Sequence, residues 1–393
     1  MACVVFRFAV YQLKRFVLDG QCEGSIGSIY TEEMMIEKIQ VELGDRSYPI
    51  EIGQELLPSL GEVCTRCGPP GRALLVSDSN VGPLYADTAV DSLERAGMDV
   101  ASVILPAGEA TKCEGRLFEL YDHAIEHGMS RYSFVVALGG GVVGDIAGYM
   151  AASYLRGIPF VQVPTSLLAM VDSSVGGKTG INLPQGKNLI GAFHQPRAVL
   201  ADLDVLETLP PREWRAGLAE VVKYGMIWDA DFFAFLEANR EGLLRCDKEI
   251  AARIVRRSCE IKAKVVRYDE RESGLRAILN FGHTLGHAIE NAAGYGEYLH
   301  GEAVAIGMDY AARLSARRAG LDTDVVERLH RLLTDLGLPT TADGLEWTDL
   351  YAIMLRDKKS VRGKPLFVLT PSLGRATPCY LCEEALCKEV WDG

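Results

Sequence analysis

From Lys38 onward, short runs of β-branched and apolar residues alternate with stretches of helical spacing, and near Leu206 the alternation stops. Residues 39–43, 48–52, 73–77, 100–105, 134–138 and 158–163 have the length and composition of strands. Between them, 85–96 and 116–127 repeat apolar residues every three or four positions. A helix between two strands returns the chain to the same end of the sheet, so these strands run parallel and helices cover both faces. Beyond Leu206 come long amphipathic stretches at 211–227, 231–244, 248–268, 278–293, 301–319 and 324–336, with one stray strand at 366–369. Pro211 costs a first helical turn no hydrogen bond and marks where the texture changes. The chain therefore reads as an α/β domain over 35–206 followed by an all-α domain over 207–393, and 393 residues suit two domains.

Residues 1–34 stand apart as an irregular extension. Met1 to Leu18 is apolar, but Arg7, Lys14 and Arg15 are scattered through it, which spoils the charged-then-apolar order of a secretory signal. Met34 or Met35, immediately before the first strand, offers an alternative start. No apolar run approaches the roughly 20 residues of a membrane span. With 41 Lys and Arg against 53 Asp and Glu, the formal charge is −12, and nothing general draws the chain to phosphate backbones or anionic lipid. Neither nucleic acid nor membrane is expected as a partner. Among ten cysteines, Cys64 with Cys67 and Cys379 with Cys382 have a spacing that a four-thiolate zinc site could use. Each pair lies beside a helix-like stretch without a glycine-rich knuckle, and the two stand at opposite ends of the chain. Reduced thiols in a cytoplasmic protein are expected instead.

Three sets of residues carry chemistry. Leu138-Gly139-Gly140-Gly141-Val142-Val143-Gly144-Asp145 follows a strand and opens an apolar helix. Glycines let the backbone approach a diphosphate, and the helix N-terminus supplies N–H groups and partial positive charge. Gly139, Gly141 and Gly144 satisfy G-x-G-x-x-G, yet the next strand lacks a terminal acid for ribose and several strands precede the loop, so a nucleotide site of another topology fits better. Ser77-Asp78-Ser79-Asn80 and Gly108-Glu109-Ala110-Thr111-Lys112, at other strand ends, could complete it. The second set is His283, His287 and His300, three of only seven histidines. His283 and His287 share one helix face at i, i+4, the spacing of a metal-binding pair. Glu220, in the apolar stretch 217–223, would be costly to bury unpaired and could join them. The third set is cations amid small or apolar residues: Arg156, Lys178, Lys187, Lys262, Arg276, and Lys358 with Lys359. In an acidic protein these suggest pockets for a phosphorylated, carboxylated small molecule.

Together these stretches resemble the 3-dehydroquinate synthase family of sugar phosphate cyclases over about residues 38–374. The resemblance rests on Gly139-Gly-Gly-Val-Val-Gly-Asp145, Val171-Asp-Ser-Ser-Val-Gly-Gly-Lys-Thr179, Gly186-Lys-Asn-Leu-Ile-Gly-Ala-Phe193, Leu218-Ala-Glu-Val-Val-Lys-Tyr-Gly225, Asp269-Glu-Arg-Glu272 and Leu279-Asn-Phe-Gly-His-Thr-Leu-Gly-His-Ala-Ile-Glu290. It implies an active site in the cleft between the two domains, with NAD and one divalent metal ion, zinc or cobalt. It makes Glu220, His283 and His300 the metal ligands and moves His287 into the substrate pocket. NAD is expected against Asp78, Ser79, Asn80, Glu109, Lys112, Gly140, Gly141, Val142, Val143, Gly144, Asp145, Thr165 and Ser166, with Lys178, Lys187 and Thr208 nearby.

The implied substrate, 3-deoxy-D-arabino-heptulosonate 7-phosphate, is expected to meet Asp172, Lys178, Asn188, Lys223, Lys262, Arg276, Asn280, His287 and one lysine of the Lys358 and Lys359 pair. Arg156 would reach the phosphate site of the neighbouring subunit, which implies a homodimer. The implied activity is transient oxidation by NAD, phosphate elimination, re-reduction and intramolecular aldol closure to 3-dehydroquinate, the second step of the shikimate pathway. His287 is the candidate for proton traffic, because imidazole titrates near neutrality. Ser166 and Met170 depart from the family's usual Thr and frequent Gln; Ser keeps the hydroxyl. Three other readings compete: another sugar phosphate cyclase, a metal-dependent polyol dehydrogenase, and a zinc-ribbon protein built on the Cys-x-x-Cys pairs. Lys262, Arg276, Asn280 and His287 keep the dehydroquinate synthase pattern against the first, and a dehydrogenase leaves Arg156, Lys178 and Lys187 unexplained.

Overall fold

The computed structural model describes residues 36–294, 296–356 and 364–392, and for 378–380 the backbone alone. The expected extension at 1–34, the Lys358 and Lys359 pair and the Cys379 side chain lie outside the described residues. An antiparallel hairpin of β1 (Glu37–Val41) and β2 (Tyr48–Gly53) leads into α1 (Leu60–Cys67). Then β3 (Arg72–Asp78), α2 (Gly82–Arg95), β4 (Asp99–Leu105), α3 (Glu114–Glu126), β5 (Phe134–Gly139), α4 (Gly141–Ser153) and β6 (Phe160–Pro164) alternate. A second hairpin, β7 (Lys178–Leu183) with β8 (Gly186–Phe193), precedes β9 (Ala198–Asp202). The main sheet runs β1-β2-β9-β6-β5-β3-β4 and is parallel everywhere except at β1–β2.

Successive strand residues point to opposite faces, and the cores follow that alternation. Ala73, Leu75, Phe134 and Val136 pack with Leu60 and Val63 of α1 and Ala89 and Leu93 of α2. Leu74, Val76, Val135 and Ala137 pack with Leu117 and Leu120 of α3 and Ile146 and Met150 of α4. Fully buried strands need no alternating polar face, which is why they read as continuous apolar runs.

The chain leaves the sheet through a 3-10 turn, Leu203–Thr208, into α5 (Pro211–Ile227). The helical half continues with α6 (Ala230–Ala238), α7 (Arg240–Leu244), α8 (Lys248–Tyr268), α9 (His283–Ala293), α10 (His300–Arg318), α11 (Thr323–Asp335) and α12 (Trp347–Arg356). A hairpin of β10 (Leu366–Ser372) and β11 (Arg375–Leu381) and then α13 (Glu384–Asp392) follow. One core crosses the junction: Ile50, Ile52, Val199 and Ala201 of the sheet pack with Leu218 and Val222 of α5 and Ile254 and Ile261 of α8. No helix among the described residues is long and apolar enough to cross a membrane.

The structure corrects several element boundaries. The hairpin β7–β8 was not legible, because its glycines and polar residues break the strand pattern and β8 is largely exposed. The single strand expected at 366–369 is half of a hairpin. The stretch 231–244 is two helices that part at Asn239. Likewise 278–293 is a 3-10 turn, Leu275–Asn280, followed by α9, with Gly282 at φ +81° turning the chain between them. That turn makes His283 the first residue of its helix.

Candidate active site

The chain places β4 on one side of β3 and β5 on the other. The loops after β3 and β5 therefore diverge and open a crevice at the carboxyl ends of the strands, where ligands of such sheets bind. Asp78 closes β3, and its carboxylate accepts the N–H groups of Asn80 and Val81 at 2.8 and 3.0 Å. The Ser79 hydroxyl accepts the Ala107 N–H at 3.0 Å and ties this turn to the end of β4. Across the crevice, the glycine-rich loop enters α4. A Cβ at Gly140 would meet nothing nearer than Ser166 Oγ at 3.5 Å, so the backbone there faces open space beside a hydroxyl. Gly144 serves packing instead, because a Cβ there would stand 2.6 Å from Gln162 Oε1. An open glycine backbone at a helix N-terminus suits a dinucleotide diphosphate.

Thr165 donates its N–H to Gly139 O at 3.0 Å and sets Ser166 beside the loop. Buried Lys112 joins three expected residues, with Nζ 2.6 Å from Asp145 Oδ2, 2.6 Å from Asn188 Oδ1 and 3.8 Å from Glu109. Burial raises the Asp145 pKa, and Lys112 offsets part of that. The Thr208 hydroxyl lies 2.6 Å from the Tyr85 hydroxyl of α2.

The metal ligands come from three helices. Glu220 of α5 is fully buried, and its oxygens accept no hydrogen bond among the described residues, although Oε2 is ion-paired with Lys223. Its Oε1 stands 3.6 Å from Nε2 of His283 on α9 and 3.6 Å from Nε2 of His300 on α10. Those separations are too long for hydrogen bonds. They approach the spacing of roughly 3.4 Å between ligand atoms bonded at about 2.0–2.2 Å to one tetrahedral ion. The His283 Nδ1 lies 3.1 Å from Phe281 O, so Nδ1–H donates there and Nε2 keeps its lone pair. Burial, with Lys223 next, holds the His283 pKa well below the usual histidine value, and neutral imidazole is the form that ligates. Burial alone would raise the Glu220 pKa, but Lys223 overcomes it and the carboxylate stays ionised. A buried carboxylate whose Oε1 faces the Nε2 atoms of two imidazoles fits a divalent cation, with room left for substrate in an incomplete shell.

Close helix packing makes this convergence possible. A Cβ on Gly301, the residue after His300, would lie 1.8 Å from Ala216 O, one helical turn before Glu220. Gly301→Ala should therefore push α10 off α5, destabilising the fold by about 3 kcal/mol or more and reducing bound metal. Urea unfolding and metal analysis would check this against Gly115→Ala, whose Cβ meets nothing within 4 Å.

Next to the metal cluster lies a buried ionic chain. Asp172, in the turn Ala169–Ser173, receives Lys262 Nζ at 2.6 Å on both its Oδ1 and its backbone oxygen. The Tyr224 hydroxyl donates to Asp172 Oδ1 at 3.1 Å, and Lys223 Nζ stands 3.9 Å away. Burial would raise the Asp172 pKa, but Lys262 and Lys223 hold the carboxyl well below the usual range. Arg276 is buried and donates to Gly176 O at 3.1 Å and to Glu270 O at 2.5 Å, while its Nε has no partner among the described residues. Lys178 of β7 is ion-paired with Glu272, whose other oxygen accepts the Asn280 amide at 2.5 Å. Lys187 of β8 reaches Glu290 at 2.9 Å. Arg156 is exposed at φ +69° and makes no hydrogen bond or ion pair with the described residues.

Three residues of this network were not singled out from the sequence: Tyr224, Glu272 and Glu290. Glu290 had a usable signal, because 283, 287 and 290 share one helix face at i, i+4 and i+7. The cysteine alternative gains nothing from the structure. Cys64 of α1 packs in the core between that helix and the sheet, Cys382 packs in the core around α12, and no described group of metal-ligand candidates includes a cysteine.

The family models described as 3-dehydroquinate synthase N-terminal and C-terminal match residues 102–216 and 217–360. The chain is 52% identical over 338 residues to a 3-dehydroquinate synthase of Desulforamulus reducens, covering 86% of this chain and 94% of that one. It is 54% identical over 342 residues to one from Citrifermentans bemidjiense, covering 87% and 94%. Among solved structures it resembles 2-deoxy-scyllo-inosose synthase complexed with carbaglucose-6-phosphate, NAD+ and Co2+, with TM-score 0.84 and 28% identity over 91% of this chain and all of that one. It also resembles the 2-epi-5-epi-valiolone synthase of Streptomyces hygroscopicus subsp. jinggangensis with NAD+ and Zn2+ bound, with TM-score 0.81 and 29% identity over 89% and 97%. An NADH-dependent butanol dehydrogenase of Thermotoga maritima shares the fold at TM-score 0.64 and 18% identity, covering 87% of this chain and 96% of that one.

Proposed function

The chain belongs to the 3-dehydroquinate synthase family and converts 3-deoxy-D-arabino-heptulosonate 7-phosphate to 3-dehydroquinate and phosphate; we propose how its residues divide that work. The observation that carries the division is the abutment of two buried clusters through Lys223, Glu220–His283–His300 on one side and Asp172–Lys262–Tyr224 on the other.

When bound, NAD supplies reversible hydride exchange at the C5 carbinol, and zinc or cobalt on Glu220, His283 and His300 supplies Lewis-acid polarisation of the neighbouring oxygens. The loop Gly140–Asp145, with Asp78, Ser79, Asn80, Glu109, Lys112, Thr165 and Ser166, holds the dinucleotide. Lys262, Arg276 and Asn280 take the substrate carboxylate, and the unpaired Arg276 Nε is one donor waiting for it. Asp172, kept ionised, orients a substrate hydroxyl, and His287 carries its proton. Lys178 and Asn188 of this chain, together with an Arg156 contributed across a dimer interface, hold the phosphate while it leaves by β-elimination and serves as its own base. The protein's share is thus orientation and electrostatics, with aldol closure following in the same pocket. A homodimer follows from the role given to Arg156.

The test mixes metal-loaded protein with the heptulosonate phosphate and NAD+ and follows phosphate release and NADH absorbance together. Stoichiometric phosphate without lasting NADH is expected. Accumulating NADH without phosphate would make this a dehydrogenase, and silence on both channels would point to another cyclase substrate.

Burial, against the pull of Asp172 and with help from Arg276 and Lys223, lowers the Lys262 pKa to about 8. The free enzyme then loses this cation as pH rises through about 8, well below the usual lysine range. Because kcat/KM reports the free enzyme, it should fall above that pH. A pH profile of Lys262→Arg, which stays charged, should lack that limb.

A further inference from the structure

Glu290 ends the helix face that carries His283 and His287, and it lies almost wholly inside the protein. An acid there needs partners, and His300 and Lys187 are among them. Its Oε2 is 3.2 Å from Nδ1 of His300, and its Oε1 is 2.9 Å from Nζ of Lys187 on β8. His300 Nε2 points the other way, to the Glu220 oxygen at 3.6 Å. The imidazole therefore spans two carboxylates, and only one of its nitrogens can give a lone pair to a cation while the other carries a proton.

We propose that Glu290 is a positioning residue for the metal centre: it accepts the Nδ1–H of His300, commits Nε2 to the cation, and is itself held in this rotamer by Lys187. The inference rests on the metal reading given above and deepens it. A histidine ligand whose second nitrogen donates to a carboxylate is fixed in tautomer and ring orientation and is a more basic ligand, and losing that carboxylate typically costs 10–100-fold in metal affinity. His283 uses the Phe281 carbonyl for the same purpose, so the two histidines are held by different means and only His300 depends on a side chain. Lys187 comes from the hairpin that also carries Lys178 and Asn188. The metal ligand is thereby tied to the hairpin whose Lys178 and Asn188 are assigned to the substrate phosphate.

A different arrangement of the same atoms makes the test sharp. His287, Glu290 and His300 also stand close enough for one ligand atom of each to share a cation, in which case Glu290 would be a ligand. The experiment titrates apo protein with Co2+ against a competing chelator, reading stoichiometry, affinity and the visible d–d spectrum. It compares wild type, Glu290→Gln and Glu290→Ala, with far-UV circular dichroism of each apo form. One cobalt per chain is expected in all three. Affinity should be about 10-fold weaker in Glu290→Gln, which keeps an acceptor without the charge, and about 100-fold weaker in Glu290→Ala, with a perturbed d–d band and unchanged apo folding. Glu290→Ala binding cobalt within twofold of wild type, with the same spectrum, overturns the inference. So does a second cobalt in wild type that disappears in Glu290→Ala. Wild type that binds no cobalt overturns the metal reading itself, which separates that failure from this one. If Glu290→Ala does not fold, the Glu290→Gln comparison alone decides.

Discussion

Glu220→Gln is expected to leave the protein without its metal and with phosphate release reduced about 10³-fold or more. The carboxylate is fully buried, its oxygens accept no hydrogen bond among the described residues, Lys223 pairs with one of them, and two imidazole nitrogens face the other at 3.6 Å. The amide keeps the volume but replaces an anionic donor by a neutral one, and nothing else described can reach both histidines. Loss of a Lewis acid that stabilises developing oxyanion charge removes several kcal/mol of transition-state binding, and about 4 kcal/mol is a factor of 10³. Metal content after gel filtration and a phosphate assay would be read together, with His300→Ala as a second case. Wild-type metal content in either variant would sink the coordination assignment.

Lys178→Ala should behave oppositely with respect to the metal: turnover falls by about 10²–10³, the range for removing one well-aimed charge-stabilising donor, while metal stays at the wild-type level. Lys178 is half exposed on β7 and reaches across to Glu272 of the helical half. Glu272 in turn holds Asn280. An ion pair this exposed contributes little to stability, so a large fall in rate with unchanged thermal unfolding would mark Lys178 as serving the reaction. A loss below tenfold, or a parallel loss of metal, would contradict the separation of roles between the hairpin and the three helices.

The residues of both predictions were legible along the chain to different degrees. The glycine-rich loop could be placed because strand, turn and helix are adjacent in sequence, and β5 and α4 stand where the pattern puts them. The helices 211–227 and 248–268 were legible to the residue, since a long amphipathic period leaves little choice of register. Hairpin β7–β8 was not, because its sequence obeys no simple period. Its conformation depends on pairing across the turn and on Lys112, which meets Asn188 from a distant part of the chain.

The metal centre shows where local information ends. Spacing along α9 puts His283 and His287 on one face, and on that ground alone they look like a ligand pair. In the structure the carboxylate that completes the cluster approaches His283 and His300, while His287 stands with Glu290 and His300 in a second grouping. A 3.6-residue period specifies which side chains share a face of one helix but says nothing about which other helix meets that face. That was decided by packing, with Gly301 against the backbone at Ala216 bringing α10 onto α5. Tyr224, Glu272 and Glu290 stood in motifs but were given no role for the same reason: each matters through partners on other elements, Asp172, Lys178 and Lys187. Periodicity and turn chemistry, set by near neighbours, determine the elements and their order. The site exists only where close-packed helices and a folded-back hairpin bring distant charges within a few ångströms, because burial makes those charges costly unless they meet.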